Sequence, residues 1–265
     1  IGVAPFVPTV SDQLCVSAAR PGLPAHPKAN CHVYPVIAGY VGGDTVAGLL
    51  ATNFEELESP SLFIDIGTNG ELVVHARGRL VATSCAAGPA FEGAGIMHGL
   101  RAATGAIEAI HIEEDLLFKT IDGAAALGIC GSALIDIVAE LLRLGILLPS
   151  GELLKAEDAP DELPDAVRRR IRRYRDQTIF AIADANDTAT GQPIAIYQSD
   201  IRQVQLATAA VRSAVSLLLK EANVEASELR RVLVAGAFGN YIRCANAQRM
   251  GLLPNGVNPD RIAFV

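Results

Sequence analysis

Residues 62–74 read LFIDIGTNGELVV, two apolar runs separated by a short polar stretch with a glycine at each end. This pattern predicts two β-strands joined by a tight hairpin. Asp65 is expected at the tip of a buried strand, where a carboxylate needs a cation or several donors to stay ionised. Glycines on both sides of Thr68 and Asn69 allow backbone N–H groups to converge on an anion. We therefore predict a phosphate-binding hairpin, with an ordinary Asn-Gly turn after a core strand as the alternative.

Composition narrows the class of protein. The chain has 265 residues, half of them hydrophobic, enough for one large core or two modest ones. Its net charge of -7 argues against a general nucleic-acid or anionic-membrane surface. The five cysteines include no C-x-x-C pair, so neither a zinc site nor an iron–sulfur cluster is indicated. With no apolar run of membrane-spanning length and no secretory leader in the sequence, we expect a cytoplasmic protein.

Further elements are predicted around the hairpin. A third strand at 80–85 would give three antiparallel strands in succession, which is typical of the front of a ribonuclease-H-like sheet. Helices are expected from Asp44, as N-cap, to about residue 54, at 133–144, and from 200 to 222. Additional strands are predicted at 105–112, 117–121 and 231–235. Short strands at 180–183 and 193–197 are expected to return the chain to the central sheet.

Two glycine-rich segments are candidates for ligand contact. Residues 86–95 form a loop of small residues in which the backbone at Gly88 can approach a ligand closely. Glu92, its one charge, could aim at a metal-bound water or cap local amides, and the residues leave both open. Gly131 and Ser132 open a predicted helix whose start could bind an anion, although plain capping by Ser132 is the commoner explanation.

A later turn combines with the first hairpin. The strand at 231–235 runs into Gly236, Ala237, Phe238 and Gly239 before a helix, so the backbone turns sharply where a flat group can lie against it. Such turns are common, and the signal is weak alone. The presence of a phosphate-type hairpin in the same chain strengthens it.

An arginine-rich segment invites a nucleic-acid interpretation. Six arginines occur within residues 168–175, directly after an acidic cluster at 157–165. The two sets of charge nearly cancel, and on a helix the arginines would cover more than one face. We therefore predict a solvated, self-paired insertion at 150–199 and no nucleic-acid partner.

Four motifs carry a family resemblance. They read DIGTNGE at 65–71, AGPAFEGA at 87–94, GICGS at 128–132 and LVAGAFG at 233–239. In this combination the chain, from Pro5 to Pro254, resembles the C-terminal ATPase domain of the reductive activators of corrinoid proteins. That family belongs to the superfamily of acetate and sugar kinases, heat-shock ATPases and actin. The resemblance implies an α/β, actin-like (ribonuclease-H-like) lobe with a mixed sheet flanked by helices and an incomplete partner lobe.

The resemblance also implies an activity. In the family, an N-terminal domain with a 2Fe-2S cluster passes an electron to a corrinoid protein, and ATP drives the reduction of inactive Co(II) to Co(I). We therefore expect ATP, Mg²⁺, a corrinoid protein and a second copy of the chain as ligands and partners. Asp65 would bind the metal and act in catalysis together with Glu92. The residues that the resemblance and the loops together assign to the nucleotide are Gly67, Thr68, Asn69, Gly70, Gly88, Gly131, Ser132, Gly236, Ala237, Phe238 and Gly239.

The family pattern contains parts that this sequence lacks. They are a first phosphate motif of the form Asp-x-Gly-Thr-Thr, the ferredoxin cysteines, and a glycine-rich helix expected after Val265. We expect residues 1–58 to be the end of a first lobe with a connecting helix, and residues 59–265 to be the second lobe. Turnover is expected only in the intact protein, because such nucleotides bind between two lobes.

Two other functions are compatible with the sequence. One is a dimerisation or partner-binding scaffold that responds to nucleotide without significant turnover. The other is a small-molecule kinase of the same superfamily, which is less favoured because no substrate pocket is evident. Cys85 and Cys130 are interpreted as small buried residues.

Overall fold

The described part of the chain forms thirteen strands and five α-helices. A computed structural model describes residues 7–26, 28–236 and 242–265. The strands are β1 (Leu14–Ser17), β2 (Asn30–Val33), β3 (Ser61–Ile66), β4 (Gly70–Ala76), β5 (Arg79–Cys85), β6 (Ala106–Ile112), β7 (Leu116–Thr120), β8 (Gly128–Ile129), β9 (Ile171–Tyr174), β10 (Gln177–Ala183), β11 (Ile194–Tyr197), β12 (Arg231–Ala235) and β13 (Ile262–Phe264). The helices are α1 (Gly43–Ala51), α2 (Gly131–Arg143), α3 (Asp165–Arg168), α4 (Gln198–Ala222) and α5 (Cys244–Arg249).

The central sheet has five strands in the order β13-β12-β3-β4-β5. β3, β4 and β5 are antiparallel neighbours, whereas β12 pairs in parallel with both β3 and β13. This mixed sheet confirms the predicted ribonuclease-H-like fold. Ile66 pairs with Gly70, so residues 67–69 make the turn, and the Gly67 N–H donates to the Asn69 carbonyl at 3.0 Å.

Both faces of β3 are buried, which explains its apolar sequence. Leu62, Ile64 and Ile66 lie in the large core, on the side of the sheet that α4 covers. Phe63 faces the other side and packs in a cluster with Leu49 of α1. Burial of a side chain of this size contributes about 1.5–3 kcal/mol. Gly48 allows α1 to approach β3 closely, because a Cβ at this position would stand 2.9 Å from the Phe63 ring.

The start of α1 differs from the prediction. Gly42 is the N-cap, and Asp44 lies in the first turn with Oδ1 accepting the Thr45 N–H at 2.9 Å. The N-cap prediction for Asp44 is therefore wrong, because its carboxylate binds the adjacent amide instead of one further along the helix. Ahead of α1, β1 and β2 form an antiparallel hairpin within the proline-rich region.

Two three-stranded sheets lie beside the central one, in the orders β7-β6-β8 and β11-β10-β9. α2 packs against β6. Phe180, Ile182 and Ile196 of β10 and β11 are buried in the same core as β3. The expectation that these two strands join the central sheet is wrong, since they build a sheet of their own. The assignment of 150–199 as an insertion, and of a boundary near residue 58, stays a prediction.

The arginines of residues 168–175 lie on and beside β9, not on one helix. The exposed ones are Arg169, Arg172, Arg173 and Arg175, which agrees with a solvated surface. Arg170 pairs with Asp115 at 2.6 Å and Arg172 with Asp184 at 2.9 Å. Arg168 donates to backbone carbonyls. The predicted self-pairing within 150–199 holds for Arg172 and Asp184, whereas Arg170 pairs outside the segment. The ion pairs of the described residues do not join these arginines to the acidic cluster at 157–165.

Asp115→Asn is expected to lower the free energy of unfolding by about 0.5–1 kcal/mol, the upper range for a partly exposed pair. Hydrogen bonds from Arg170 hold the pKa of Asp115 below its ordinary value of 3.8. The pair therefore stabilises the fold above pH 3.8, and its contribution is lost as pH falls through the lowered pKa. Denaturant unfolding at pH 7 and pH 3 measures this.

Asp184→Asn serves as the matched control, because its pair with Arg172 has one contact between exposed side chains. We expect a smaller loss there. An equal loss in both variants would contradict a special role for the two-bonded pair of Asp115 and Arg170.

The cysteines are free thiols. Cys130 is buried, as interpreted from the sequence, and Cys85 is half-buried at the edge of the core. Among the helices that the structure describes, none is both long and apolar enough to cross a bilayer.

Candidate functional site

A cavity of about 640 Å³ lies beside the tip of β3. Six residues predicted from sequence line it, namely Asp65, Gly67, Glu92, Gly131, Ser132 and Gly236. Of the other predicted residues, Thr68, Asn69, Gly70 and Gly88 lie outside its wall, and Ala237, Phe238 and Gly239 lie outside the described residues. The hairpin, the loop after β5, the start of α2 and the end of β12 therefore meet at one place.

Asp65 is half-buried at the end of β3, between Glu71 on β4 and Ala235 on β12. Burial, and then the charge of Asp44, raise its pKa above the ordinary value. The pKa of Glu71 is raised by burial and by the charges of Asp65 and Asp44. These mutually unfavourable negative charges would be relieved by a cation next to Asp65.

The hairpin turn is fastened to the next loop by Thr68. Its hydroxyl donates to Glu92 Oε1 at 2.6 Å, and its carbonyl accepts the Gly88 N–H at 2.8 Å. The sequence left two roles open for Glu92, contact with a metal-bound water and capping of local amides. This contact is not amide capping, because its donor is a side-chain hydroxyl. Gly70 has a packing role, because a Cβ there would stand 2.9 Å from the Cys85 sulfur.

The start of α2 forms another wall. Its N-cap is Cys130, so the capping prediction for Ser132 is wrong. The Ser132 hydroxyl instead donates to the Glu108 carbonyl on β6 at 2.6 Å. The first intrahelical bond runs from the Leu134 N–H to the Cys130 carbonyl, and the helix offers no acceptor to the N–H groups before it. A Cβ on Gly131 would collide with the Phe91 carbonyl, so only glycine permits this contact.

Gly236 brings the end of β12 against the end of β3. Its φ of +125° is rare for residues with a side chain, and a Cβ there would collide with the Ile66 carbonyl. The two turns singled out in the sequence, at Gly67 and at Gly236, are therefore adjacent in space and share the cavity.

Comparison with known proteins now identifies the family. A family model described as the C-terminal domain of RACo, the ASKHA domain, matches residues 59–265. The chain belongs to the RACo family. A second family model, the RACo middle region, matches residues 1–57. The resemblance inferred from the four motifs is thereby confirmed.

Individual relatives agree with this family. The corrinoid activation enzyme RamQ of Eubacterium limosum is 38% identical over 255 residues, which cover 96% of the chain and 42% of that protein. The Co(II) methylated amine-specific corrinoid protein reductase of Methanosarcina barkeri is 27% identical over 85% of the chain and 41% of its own length. A solved structure of a reductive activator for corrinoid, iron-sulfur protein matches the whole chain with a TM-score of 0.87 and 36% identity, and the chain covers 41% of it.

The chain thus spans about two fifths of the length of these relatives. Sequence reasoning missed three residues at or near the cavity. Arg101 and Glu108 line it, and Glu108 pairs with Lys119 at 2.7 Å. Asp44 acts on Asp65 through its charge. Asp44 had a signal in the sequence, because it follows two glycines. Arg101 and Glu108 had none, because a single charge on a loop or a strand has no distinctive pattern.

Proposed function

We propose that this ASKHA domain is the ATP-binding module of a reductive activator that uses ATP to drive the reduction of Co(II) to Co(I) in a corrinoid protein. The observation that carries the proposal is the single cavity shared by Asp65, Gly67, the start of α2 and Gly236. Membership of the RACo family supports it. The names of the relatives, which refer to corrinoid activation and to reduction of a Co(II) corrinoid protein, point to the same partner.

The donor set fits Mg²⁺ better than a metal held by protein alone. Mg²⁺ is usually bound by one or two carboxylates together with substrate phosphates and water. Asp65 provides such a carboxylate, and the described residues contain no group of three His, Cys, Asp or Glu side chains suited to a metal. A dication would also offset the burial and the Asp44 charge that raise the pKa of Asp65.

The cavity also fits a nucleotide. Its volume of about 640 Å³ is in the range of small-molecule sites. We assign phosphate to the β3–β4 turn, where the Gly67 N–H already donates to the Asn69 carbonyl and the amides of Thr68 and Asn69 are the candidate donors. The N–H groups at the start of α2 are further donors. Residues 236–239 would border the adenosine.

The chain's own residues then have distinct roles. Mg²⁺, when bound, would neutralise charge on the phosphoryl group that is transferred. Asp65 would hold the ion through a bound water. Glu92, fixed on one oxygen by Thr68 at 2.6 Å, would orient the attacking water with the other. A homodimer and a cytoplasmic location belong to the same proposal.

The test compares ATP binding and turnover in the full-length protein, with and without its oxidised corrinoid partner. A low-potential chemical reductant supplies the electron through the iron–sulfur domain, since ATP hydrolysis provides no electron. We expect Mg²⁺-dependent ATP binding, faster hydrolysis with the partner, and Co(I) formation detected by absorbance. ATP binding without turnover, even with the partner, would favour the scaffold and contradict the ATPase assignment. A phosphorylated metabolite in a substrate screen would favour the kinase.

A further inference from the structure

One edge of β6 is completed by side chains. β6 pairs with β7 on one edge, and on the other it pairs with β8 only at Ala106 and Ile107. Beyond Ile107, no strand among the described residues continues this second edge. Ile110 and Ile112 are fully buried, so their N–H and C=O groups need partners.

The partners are two acid–arginine pairs. The Ile110 N–H donates to Asp136 at 3.1 Å, and its carbonyl accepts from Arg243 at 2.9 Å. The next outward-facing residue, Ile112, repeats the arrangement: its N–H donates to Glu140 at 3.2 Å and its carbonyl accepts from Arg143 at 2.5 Å.

The spacing of the two acids explains the match. Asp136 and Glu140 are four residues apart on α2, a rise of about 6 Å. Ile110 and Ile112 are two residues apart on β6, a rise of about 6.6 Å. One helix face can therefore supply an acceptor to each outward N–H, in the way a neighbouring strand would.

The two pairs differ in what they connect. Arg143 belongs to α2 itself, so the pair with Glu140 links only α2 and β6. Arg243 is the N-cap residue of α5. One of its nitrogens donates to the Ile110 carbonyl and lies 3.0 Å from Asp136 Oδ2 in an ion pair. Asn246 of α5 adds a bond to Asp136 at 2.6 Å. The inner pair therefore ties α5 to α2.

The two helices that this link joins, α2 and α5, are both close in sequence to residues of the cavity. α2 begins there with Gly131 and Ser132, five residues before Asp136. Arg243 follows Gly236, another cavity residue, by seven positions. Asp136 is 1% exposed and Asn246 is 4% exposed, so water competes little for these bonds.

We propose that Asp136 and Arg243 are positioning residues, which hold α5 against α2 and thereby set the distance between the Gly131 and Gly236 sides of the cavity. This inference rests on the proposed function. Neither residue needs to contact the nucleotide. Their effect is on the adenosine part of ATP. The phosphate side is built by the β3–β4 hairpin and the start of α2, and α2 keeps its bonds from Asp136 and Glu140 to the Ile110 and Ile112 N–H groups of β6 when α5 is released.

The experiment compares Arg243→Met with Arg143→Met in the full-length protein. The two arginines are matched, since each donates to a β6 carbonyl and forms an ion pair with a buried acid, and their side chains are 41% and 36% exposed. Arg243→Met is expected to weaken binding of MgATP and of adenosine about tenfold, the order for one lost charge-assisted link. Binding of inorganic triphosphate should not change. Arg143→Met should leave all three affinities unchanged while lowering the unfolding temperature to a similar extent.

Two further variants distinguish the proposed effect from a general loss of folding. Arg243→Lys should recover most of the ATP affinity, because one ammonium can donate to both acceptors. Asn246→Ala removes the second bond to Asp136 and should weaken ATP and adenosine binding in the same direction, about threefold.

Three results overturn the inference while the wild type binds ATP: unchanged affinity in Arg243→Met and Asn246→Ala, equal losses for ATP and inorganic triphosphate, or an equal loss in Arg143→Met. Absence of ATP binding by the wild type would overturn the proposed function itself, and this inference with it.

Discussion

Asp65→Asn is expected to lower the ATP turnover of the full-length protein by about 10²- to 10³-fold without loss of the fold. Asparagine has the size of aspartate but lacks the negative charge that we assign to Mg²⁺. Turnover at saturating MgATP, with the corrinoid partner present, measures the effect, and circular dichroism checks the fold. Unchanged turnover would contradict the assignment.

The same substitution is expected to raise the free energy of unfolding in the absence of nucleotide. Burial and the Asp44 charge raise the pKa of Asp65 above its ordinary value of 3.8. In the pH window between 3.8 and the raised pKa, the folded state therefore binds more protons than the unfolded state. Wild-type stability therefore falls as pH rises through the window. The advantage of the variant should be absent below pH 3.8 and complete above the raised pKa, which thermal unfolding across pH would measure.

Glu71→Gln is the matched control for both effects. Glu71 faces Asp65 across the β3–β4 pair, and its pKa is raised by burial and by the Asp65 and Asp44 charges. It lies outside the cavity wall. This variant should keep its turnover and gain stability in the same direction with pH, with the gain beginning near the ordinary glutamate pKa of 4.5 instead of 3.8. A loss of turnover equal to that of Asp65→Asn would mean that local charge, and not the position of Asp65, controls catalysis.

The three antiparallel strands β3, β4 and β5 of the central sheet could be predicted because their information is local. The apolar runs around Asp65 and the glycines at 67 and 70 specify strand, turn and strand within thirteen residues. The place of β10 could not be predicted in this way. Its sequence says only that it is a buried strand, and which sheet it joins depends on partners that pair through the backbone and have no residue-type code.

The site was predictable to the same extent. Glycines at 67, 131 and 236 are visible in the sequence because each stands in a turn or at a helix start. The contacts that require glycine at 236 and 131, with the Ile66 and Phe91 carbonyls respectively, are between distant segments and appear only in the fold. The side-chain edge of β6 was missed for a related reason. Asp136 looks like an ordinary helix residue until the unpaired strand edge beside it is known.

Gly236→Ala is expected to lower the free energy of unfolding by roughly 2–6 kcal/mol and to weaken ATP binding at least tenfold. Two separate costs add. The φ of +125° disfavours any side chain, by about 1–3 kcal/mol. The added Cβ would also collide with the Ile66 carbonyl, which belongs to a central strand and cannot turn aside, at about 1–3 kcal/mol more. Denaturant unfolding and ATP titration measure the two effects.

Gly256→Ala separates these costs. Gly256 also has a positive φ, +93°, but nothing lies within 4 Å of a Cβ built there. It should therefore lose only the backbone part, about 1–2 kcal/mol, and bind ATP as the wild type does. Equal losses of stability in the two variants would mean that the contact between β12 and β3 tolerates a methyl group. The cavity would then not depend on the close approach of Gly236 to Ile66, and the shared wall on which the nucleotide assignment rests would need another cause.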